Sequence, residues 1–235
     1  MINLSILQVS AFWDTVLQGF IITVALTVLS MTFGVMAGTG LACMQAFGNA
    51  LLRYVAQFYI FVFRGIPLLV LLFLVYYGLP RVPWFGVGPF WNLILMSPFR
   101  VAVFVLSINN AAYLGEIVRG GLIMVPQGLV EAGNAIGMTK KRVFFRIQAP
   151  IAFRSILGNL GSETIAVVKA SAVTSVITVH DLMGGPTVVG KVYLDPFTPL
   201  IVVGVFYVLL VQGIDWIVGR TRRTLTAPGS VPNLH

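Results

Sequence analysis

Residues 16–44 of this chain contain no charged side chain and are apolar almost throughout. A helix needs about 20 apolar residues to cross the hydrocarbon core of a bilayer, so this run is long enough to span one. Four further apolar stretches follow, at residues 54–79, 99–118, 156–179 and 197–218. The stretch 156–179 is the least certain span, because it is less strongly apolar and contains Glu163 and Lys169. The sequence therefore predicts an all-α, multi-pass transmembrane helical bundle of about five spans.

The composition excludes an ordinary soluble domain. Only 9% of the residues are charged and 58% are hydrophobic, whereas about 25% of a soluble domain is charged. We interpret residues 1–235 as a single transmembrane domain. We expect no cleavable signal peptide, because residues 1–14 lack a basic leader and the apolar run that follows is too long for one.

The basic residues predict the orientation in the membrane. With the N-terminus outside, ten of them fall in cytoplasmic segments, namely Arg53, Arg119, Lys140, Lys141, Arg142, Arg146, Arg154, Arg220, Arg222 and Arg223. Three fall outside, namely Arg81, Arg100 and Lys191. Basic residues prefer cytoplasmic loops, so we expect the N-terminus outside and the C-terminus in the cytoplasm. This placement accounts for the net charge of +8 without a nucleic-acid partner.

A charged segment at residues 126–150 interrupts the apolar chain. Pro126 fits a helix start and Gly137 a helix end, and Thr139 fits the N-cap of a second short helix that Pro150 would end. We expect two short amphipathic helices that lie along the membrane surface. From the pattern alone, they could contact membrane lipid or dock to a partner protein.

The same segment resembles the EAA motif of bacterial ABC-importer permeases. That motif is Glu-Ala-Ala, three residues, Gly, nine residues, then Ile-x-Leu-Pro. The corresponding residues here are Glu131, Ala132, Gly133, Gly137, Ile147, Gln148, Ala149 and Pro150. Both spacings match, while Gly133 replaces an Ala and Ala149 replaces a Leu.

Three other stretches are similar to permeases for polar amino acids. They are "FRGIPLL" (63–69), "AAYLGEIVRGGLIMVPQG" (111–128) and "VVKASAVTSV" (167–176). Ile66 replaces a usual Thr, and Ala170 and Ala172 replace a usual Asp and Ser. The resemblance extends over residues 19–223.

The resemblance to the histidine, glutamine, arginine and opine-type permeases implies a MetI-like fold in the bacterial inner membrane. It implies half of a dimeric pore, completed by a second copy or a related chain. Two separate ATPase subunits would bind ATP and Mg, dock at the EAA residues and drive import. An extracytoplasmic binding protein would deliver an amino acid or a derivative such as an opine. This chain would then be no enzyme and would hold no cofactor or metal. We expect Glu131→Lys or Gly137→Asp to uncouple hydrolysis from transport.

Ionisable residues at membrane depth are candidates for function because burying them is costly. Glu163, Arg64 and Lys169 have charges that would suit the ammonium and carboxylate of an amino acid, and Asn109 and Asn110 are candidates for polar contacts in the pathway or between helices. Alternatively, the charges pair with one another or with a partner subunit. Arg64 lies beside Pro67, where we expect a kinked helix with freed carbonyls.

Two other functions have less support. The stretch "GPTVVGKV" (185–192) nearly matches a phosphate-binding loop, but Val192 stands where a hydroxyl must bind magnesium, so we expect an ordinary external loop.

A stand-alone secondary carrier or channel remains the alternative function. The absence of a visible internal repeat and the presence of the EAA-like segment count against it.

Overall fold

The computed structural model of the chain describes residues 4–85, 88–89 and 91–225. The α-helices are α1 (Ser10–Phe47), α2 (Ala50–Gly65), α3 (Leu68–Phe73), α4 (Pro98–Ile123), α5 (Gln127–Ala135), α6 (Lys140–Val143), α7 (Ala149–Ser171), α8 (Gly184–Val192) and α9 (Phe197–Leu225). Shorter 3-10 or π-helical turns occupy Leu4–Gln8, Leu74–Gly78, Leu79–Arg81, Trp91–Leu95, Phe144–Gln148 and Ala172–Ile177. Every regular element of the described residues is helical, which confirms the all-α prediction.

Four helical segments are individually long and apolar enough to cross a membrane, namely α1, α4, the run Lys140–Ile177 and α9. A fifth candidate span consists of α2 and the run Leu68–Arg81, which meet at a bend of 101°. The structure thus gives four spans, or five if the bent pair counts as one. This agrees with the prediction of about five.

The break between α2 and α3 is much sharper than the kink expected from the sequence. Ile66, at the end of α2, has an extended backbone with φ −87° and ψ 125°, the region favoured before a proline. Pro67 has no N–H to donate to the carbonyl of Phe63 and instead begins α3. Because both residues leave the helical path together, the chain turns by about a right angle.

The expectation that Pro150 ends a short helix is wrong. The chain stays helical from Lys140 to Ile177, with a π-helical turn at Phe144–Gln148 immediately before the proline. In this turn the Ala149 N–H reaches the Phe144 carbonyl, five residues back. The wider turn accommodates a proline ring that would clash inside a regular α-helix. One continuous helix therefore joins the charged segment to the fourth predicted span.

Two connecting segments, 81–98 between the second and third predicted spans and 180–196 between the fourth and fifth, lie outside in the predicted orientation and contain more structure than loops. Residues 184–192 form α8, so the expectation of an ordinary loop there is wrong, and α8 packs against α1 and α9. In the segment 81–98, Arg100 Nη1 donates to the carbonyls of Asn92 and Leu93, both at 3.0 Å, and so holds the turn Trp91–Leu95 against α4. Residues 86, 87 and 90 of this segment lie outside the described residues.

The most extensive helix–helix packing joins α1 to α4. Small residues permit this packing. A Cβ added at Gly38 would lie only 2.8 Å from Leu114 Cβ and 2.9 Å from the Gly115 N atom, too close for any side chain larger than that of glycine. Such close backbone approach between small residues is the usual way that membrane helices associate. Helix α4 also contacts α7, and α7 contacts α9. The packing of α1, α4 and α7 is thus the centre of the helical bundle.

Candidate functional site

The structure has two regions with candidate functional residues: the coupling segment (residues 126–150) and a cleft between α2, α4 and α7. In the coupling segment, α5 ends in a Schellman motif. The Gly137 N–H donates to the Asn134 carbonyl at 3.0 Å, and the Met138 N–H donates to the Gly133 carbonyl at 3.0 Å. Gly137 has φ +81°, in the left-handed region that favours glycine. This reverses the chain direction between α5 and α6.

Gly133 brings the two halves of the EAA-like motif together. It is buried, and a Cβ placed on it would lie 2.8 Å from Ile147 Cδ1 and 3.2 Å from Val143 Cγ2. The spacing in sequence therefore corresponds to a contact in space, since the chain turns back at Gly137 and sets Ile147 under Gly133. The helix α5 and the start of the long run Lys140–Ile177 form one packed unit.

Several side chains of α5 and its C-terminal end are exposed to the surroundings of the chain. Glu131 and Ala132 are exposed, and Ile136 is 78% exposed. Among the described residues, Glu131 has no hydrogen-bonding or ion-pairing partner. Exposed polar and aliphatic side chains on and at the end of a short helix form a surface suited to docking.

The second region, here called the central cleft, is a pair of cavities that share Tyr113 and Glu163. One has a volume of about 410 Å³ and is also lined by Arg64 and Glu116. The other has a volume of about 280 Å³ and is also lined by Asn109 and Asn110. The carboxylate of α7 and the guanidinium at the end of α2 thus face the same space.

The break in α2 positions one side of the cleft. The Phe63 carbonyl, which Pro67 cannot satisfy, accepts a hydrogen bond from Asn109 Nδ2 at 2.9 Å. Arg64 lies over the Tyr113 ring, with its guanidinium carbon 5.2 Å from the ring centroid. The asparagine of α4 replaces the missing backbone donor and fixes the end of α2, so that Arg64 is held beside the cleft by a cation–π contact.

Four of the five residues predicted for the substrate pathway line the cleft, namely Glu163, Arg64, Asn109 and Asn110. Lys169 is exposed and lines neither cavity. Within the described residues, no ion pair joins Arg64, Glu163 or Lys169 to a partner. Arg64 and Glu163 nevertheless line the same cavity, so the two alternatives, contact with a ligand and pairing with each other, both remain predictions.

The fully buried Asn110 also has a role between helices. Its Nδ2 lies 3.1 Å from Met31 Sδ on α1, and its Oδ1 has no hydrogen-bond partner in the described structure.

Sequence reasoning missed the ion pair on the side of the cleft nearer the end of α4. Arg119 Nη2 lies 2.7 Å from Glu116 Oε2, and Gln45 Nε2 of α1 donates to Glu116 Oε1 at 3.2 Å. The sequence places these two charges three apart, which is one helical turn, and that spacing was the available signal. It also missed Tyr113, whose position depends on where α2 ends.

No cluster of three metal-ligating side chains occurs in the described residues.

The comparisons with known proteins now decide the family. The family model for "binding-protein-dependent transport system inner membrane component" matches residues 30–226. The chain belongs to this family. It is therefore a multi-pass membrane component of a binding-protein-dependent transport system, as the resemblance in the EAA-like segment implied.

Several relatives extend over most of the chain. The octopine transport system permease protein OccM of Rhizobium radiobacter is 38% identical over 175 residues, covering 73% of this chain and 71% of that protein. The arginine transport system permease protein ArtQ of Bacillus subtilis is 32% identical over 210 residues, covering 89% and 92%.

Solved structures show the same architecture. An amino acid ABC transporter crystallised with histidines matches with a TM-score of 0.80 and 33% identity, over 91% of this chain and 95% of that one. An inward-facing MetNI methionine ABC transporter matches with a TM-score of 0.77 and 22% identity, over 93% and 100%. The second match concerns the fold alone and agrees with the expected MetI-like fold.

Proposed function

We propose that this chain is the permease subunit of an ATP-driven importer for an amino acid or an amino-acid derivative such as an opine. Relatives named for octopine and arginine transport, each more than 30% identical, support the substrate class. The central cleft supports it as well. Its carboxylate at Glu163 would meet the ammonium of such a ligand, and the guanidinium of Arg64 would meet the carboxylate.

The observation that carries the proposal is the mechanical connection between the coupling segment and the cleft. The helix α5 packs through Gly133 on Ile147, and Ile147 belongs to the same unbroken helical run that carries Glu163. A displacement of α5 would therefore move one wall of the cleft directly. A pore that does not bind ATP itself needs such a mechanical connection to a partner that does.

The partners follow from this arrangement. Two ATPase subunits would each receive one α5, with Glu131 and Ile136 on the docking face. Their closure on ATP would draw the two α5 helices together and open the cleft outward. A binding protein on the outer face would then release its ligand between this chain and a second permease subunit. The ATP and Mg would be bound by the ATPase, and the N-terminus would lie outside.

Reconstitution in vesicles tests the proposal. The chain is co-expressed with its ATPase, purified and supplied with candidate binding proteins and a panel of amino acids and opines. We expect ATP hydrolysis and uptake to rise only when both the binding protein and its ligand are present. Uptake by the chain alone under an ion gradient would instead establish the carrier function.

A further inference from the structure

An apolar groove with a basic rim lies beside the coupling segment and has no assigned role. It has a volume of about 510 Å³ and lies between the end of α1, the helix α5 and the first turns of the run Lys140–Ile177. Its volume falls in the range of about 300–1,000 Å³ that is usual for sites that bind small molecules. We call it the basal groove.

The interior of the basal groove is apolar and partly open. Phe47 and Phe144 line it and meet edge to face, with ring centroids 5.5 Å apart, and Cys43 and Val143 are among the other apolar lining residues. Phe47 is 60% exposed and the neighbouring Phe145 is 62% exposed. A surface of this kind is unfavourable in water, but it is ordinary where acyl chains surround the protein.

The helix lengths place the groove at the edge of the bilayer. Helix α1 has 38 residues and the run Lys140–Ile177 also has 38 residues. At 1.5 Å per residue each is about 57 Å long, whereas the hydrocarbon core is about 30 Å thick and the whole bilayer about 45 Å. Since α1 ends and the long run begins at the groove, these lengths place the groove outside the hydrocarbon core, and its exposed aromatic side chains favour the headgroup layer over open water.

The rim of the groove carries two positive charges. Lys140 and Lys141 both line it, both are exposed, and neither has an acidic partner within the described structure. An apolar cavity bordered by ammonium groups at headgroup depth is complementary to an anionic lipid, whose phosphate and acyl chain need these two environments side by side.

We propose that the basal groove binds one anionic phospholipid, with its phosphate between Lys140 and Lys141 and an acyl chain against Phe47 and Phe144. The bound lipid fills the space between the end of α1 and the base of the coupling segment. This inference rests on the membrane location of the family and does not depend on which ligand is imported.

The groove and the docking face of α5 are made of different residues. Val130 and Asn134 of α5 line the groove, one helical turn apart, whereas Glu131 and Ile136 do not line it. Lipid in the groove therefore leaves the face proposed for the ATPase free.

The single cysteine of the chain reports on occupancy. Cys43 lines the groove and is partly buried, and the sequence has no other cysteine. The full chain is placed in nanodiscs of phosphatidylcholine alone or of phosphatidylcholine with phosphatidylglycerol. The rate of Cys43 alkylation by N-ethylmaleimide is then measured by peptide mass spectrometry. We expect alkylation to be at least threefold slower with phosphatidylglycerol.

A pair of charge-matched variants separates the groove from general surface charge. Lys140→Gln with Lys141→Gln should abolish the difference between the two lipids, whereas Arg142→Gln with Arg146→Gln should preserve it, since neither arginine lines the groove. Native mass spectrometry should show retained phosphatidylglycerol on the wild type and the arginine variant only.

Three results would overturn the proposal. They are equal alkylation rates in the two lipids, an equal loss of protection in both double variants, and protection of Cys43 by added ATPase subunits in place of phosphatidylglycerol. The last would assign the groove to the ATPase.

Discussion

Asp181 is a carboxylate with no exposed surface, located between the run Lys140–Ile177 and α8. Its Oδ1 accepts a hydrogen bond from the Gly184 N–H at 2.8 Å, while its Oδ2 has no hydrogen-bond partner in the described structure. Burial raises the pKa of Asp181 from its ordinary value near 3.8 to about 7. The folded chain therefore retains a proton that the unfolded chain loses near pH 4.

This raised pKa gives a signed prediction about stability. The native state binds more protons than the unfolded state between about pH 4 and pH 7, so stability falls as the pH rises through that window and levels off above it. Asp181→Asn keeps an acceptor for Gly184 and removes the charge. We expect the variant to be more stable than the wild type at pH 8, by on the order of 2–4 kcal/mol, with the difference vanishing near pH 4.

Thermal unfolding in detergent at pH 4, 6 and 8 measures this difference. Asp215→Asn is the control, because Asp215 is exposed on α9, and its pH profile should run parallel to that of the wild type. A constant difference between Asp181→Asn and the wild type across the three pH values would contradict the prediction.

Glu163 and Lys169 provide a second residue-scale contrast on the same helix. Only Glu163 lines the central cleft. If its carboxylate meets the ligand ammonium, Glu163→Gln removes a charge-assisted hydrogen bond of about 1.5–3 kcal/mol. We expect the KM of uptake to rise about tenfold or more, with basal ATP hydrolysis unchanged.

Lys169→Gln is the matched control and should alter the KM of uptake by less than about twofold. Radiolabelled uptake in vesicles over a range of ligand concentrations provides both values. Equal effects of the two substitutions would remove Glu163 from the proposed pathway.

At the scale of elements, the packing of α1 on α4 depends on glycine at one face of α1. A Cβ at Gly38 would meet backbone and Cβ atoms of α4 at 2.8–3.0 Å, whereas a Cβ at Gly40 would have no neighbour within 4 Å. Gly38→Val should therefore force the helices apart and lower stability by about 2 kcal/mol or more. Gly40→Val, with the same change in helix propensity, should have little effect. Thermal unfolding of the two variants in detergent compares them directly.

The turn at Gly137 is a second element with a clear control. Its φ of +81° costs any residue with a Cβ about 1–2 kcal/mol, so Gly137→Ala should reduce the population of the native turn by about 5- to 30-fold. We expect the number of ligand molecules imported per ATP hydrolysed to fall severalfold. Gly128→Ala, near the start of α5 with no neighbour within 4 Å of an added Cβ, should leave this ratio unchanged. A normal ratio in Gly137→Ala would show that coupling tolerates a loosened turn.

Local signals in the sequence predicted helix ends better than helix directions. Pro126, Gly137 and Thr139 each mark an end where the structure has one, because capping depends on the few residues at the end itself. Pro67 and Pro150 gave the same signal, yet one lies at a bend of 101° and the other lies within a continuous helix. The outcome depends on whether a neighbouring group or a widened turn compensates for the missing N–H, and no local pattern reveals that.

The central cleft shows the same limit. Glu163 and Arg64 were predicted because charge at membrane depth is rare. Tyr113 was not predicted, because an aromatic residue in an apolar helix gives no sign of function by itself. Only the structure shows that Arg64, at the end of α2, lies over its ring.

At the scale of the whole molecule, the proposed direction of coupling requires a defined orientation in the membrane. The ATPase works in the cytoplasm, so the coupling segment must lie there and the segment with α8 must lie on the opposite side. Between them runs the continuous helix Lys140–Ile177, long enough to cross the bilayer. One crossing by this helix therefore places Lys140 and Lys191 on opposite faces.

The four lysines of the chain, Lys140, Lys141, Lys169 and Lys191, make this orientation measurable. In sealed right-side-out vesicles, a membrane-impermeant amine reagent should modify the exposed Lys191 of α8, and it should modify Lys140 and Lys141 only after permeabilisation. Peptide mass spectrometry assigns each modification. Labelling of Lys140 from outside would invert the predicted topology, and it would leave the docking face of α5 on the side of the membrane where no ATPase could reach it.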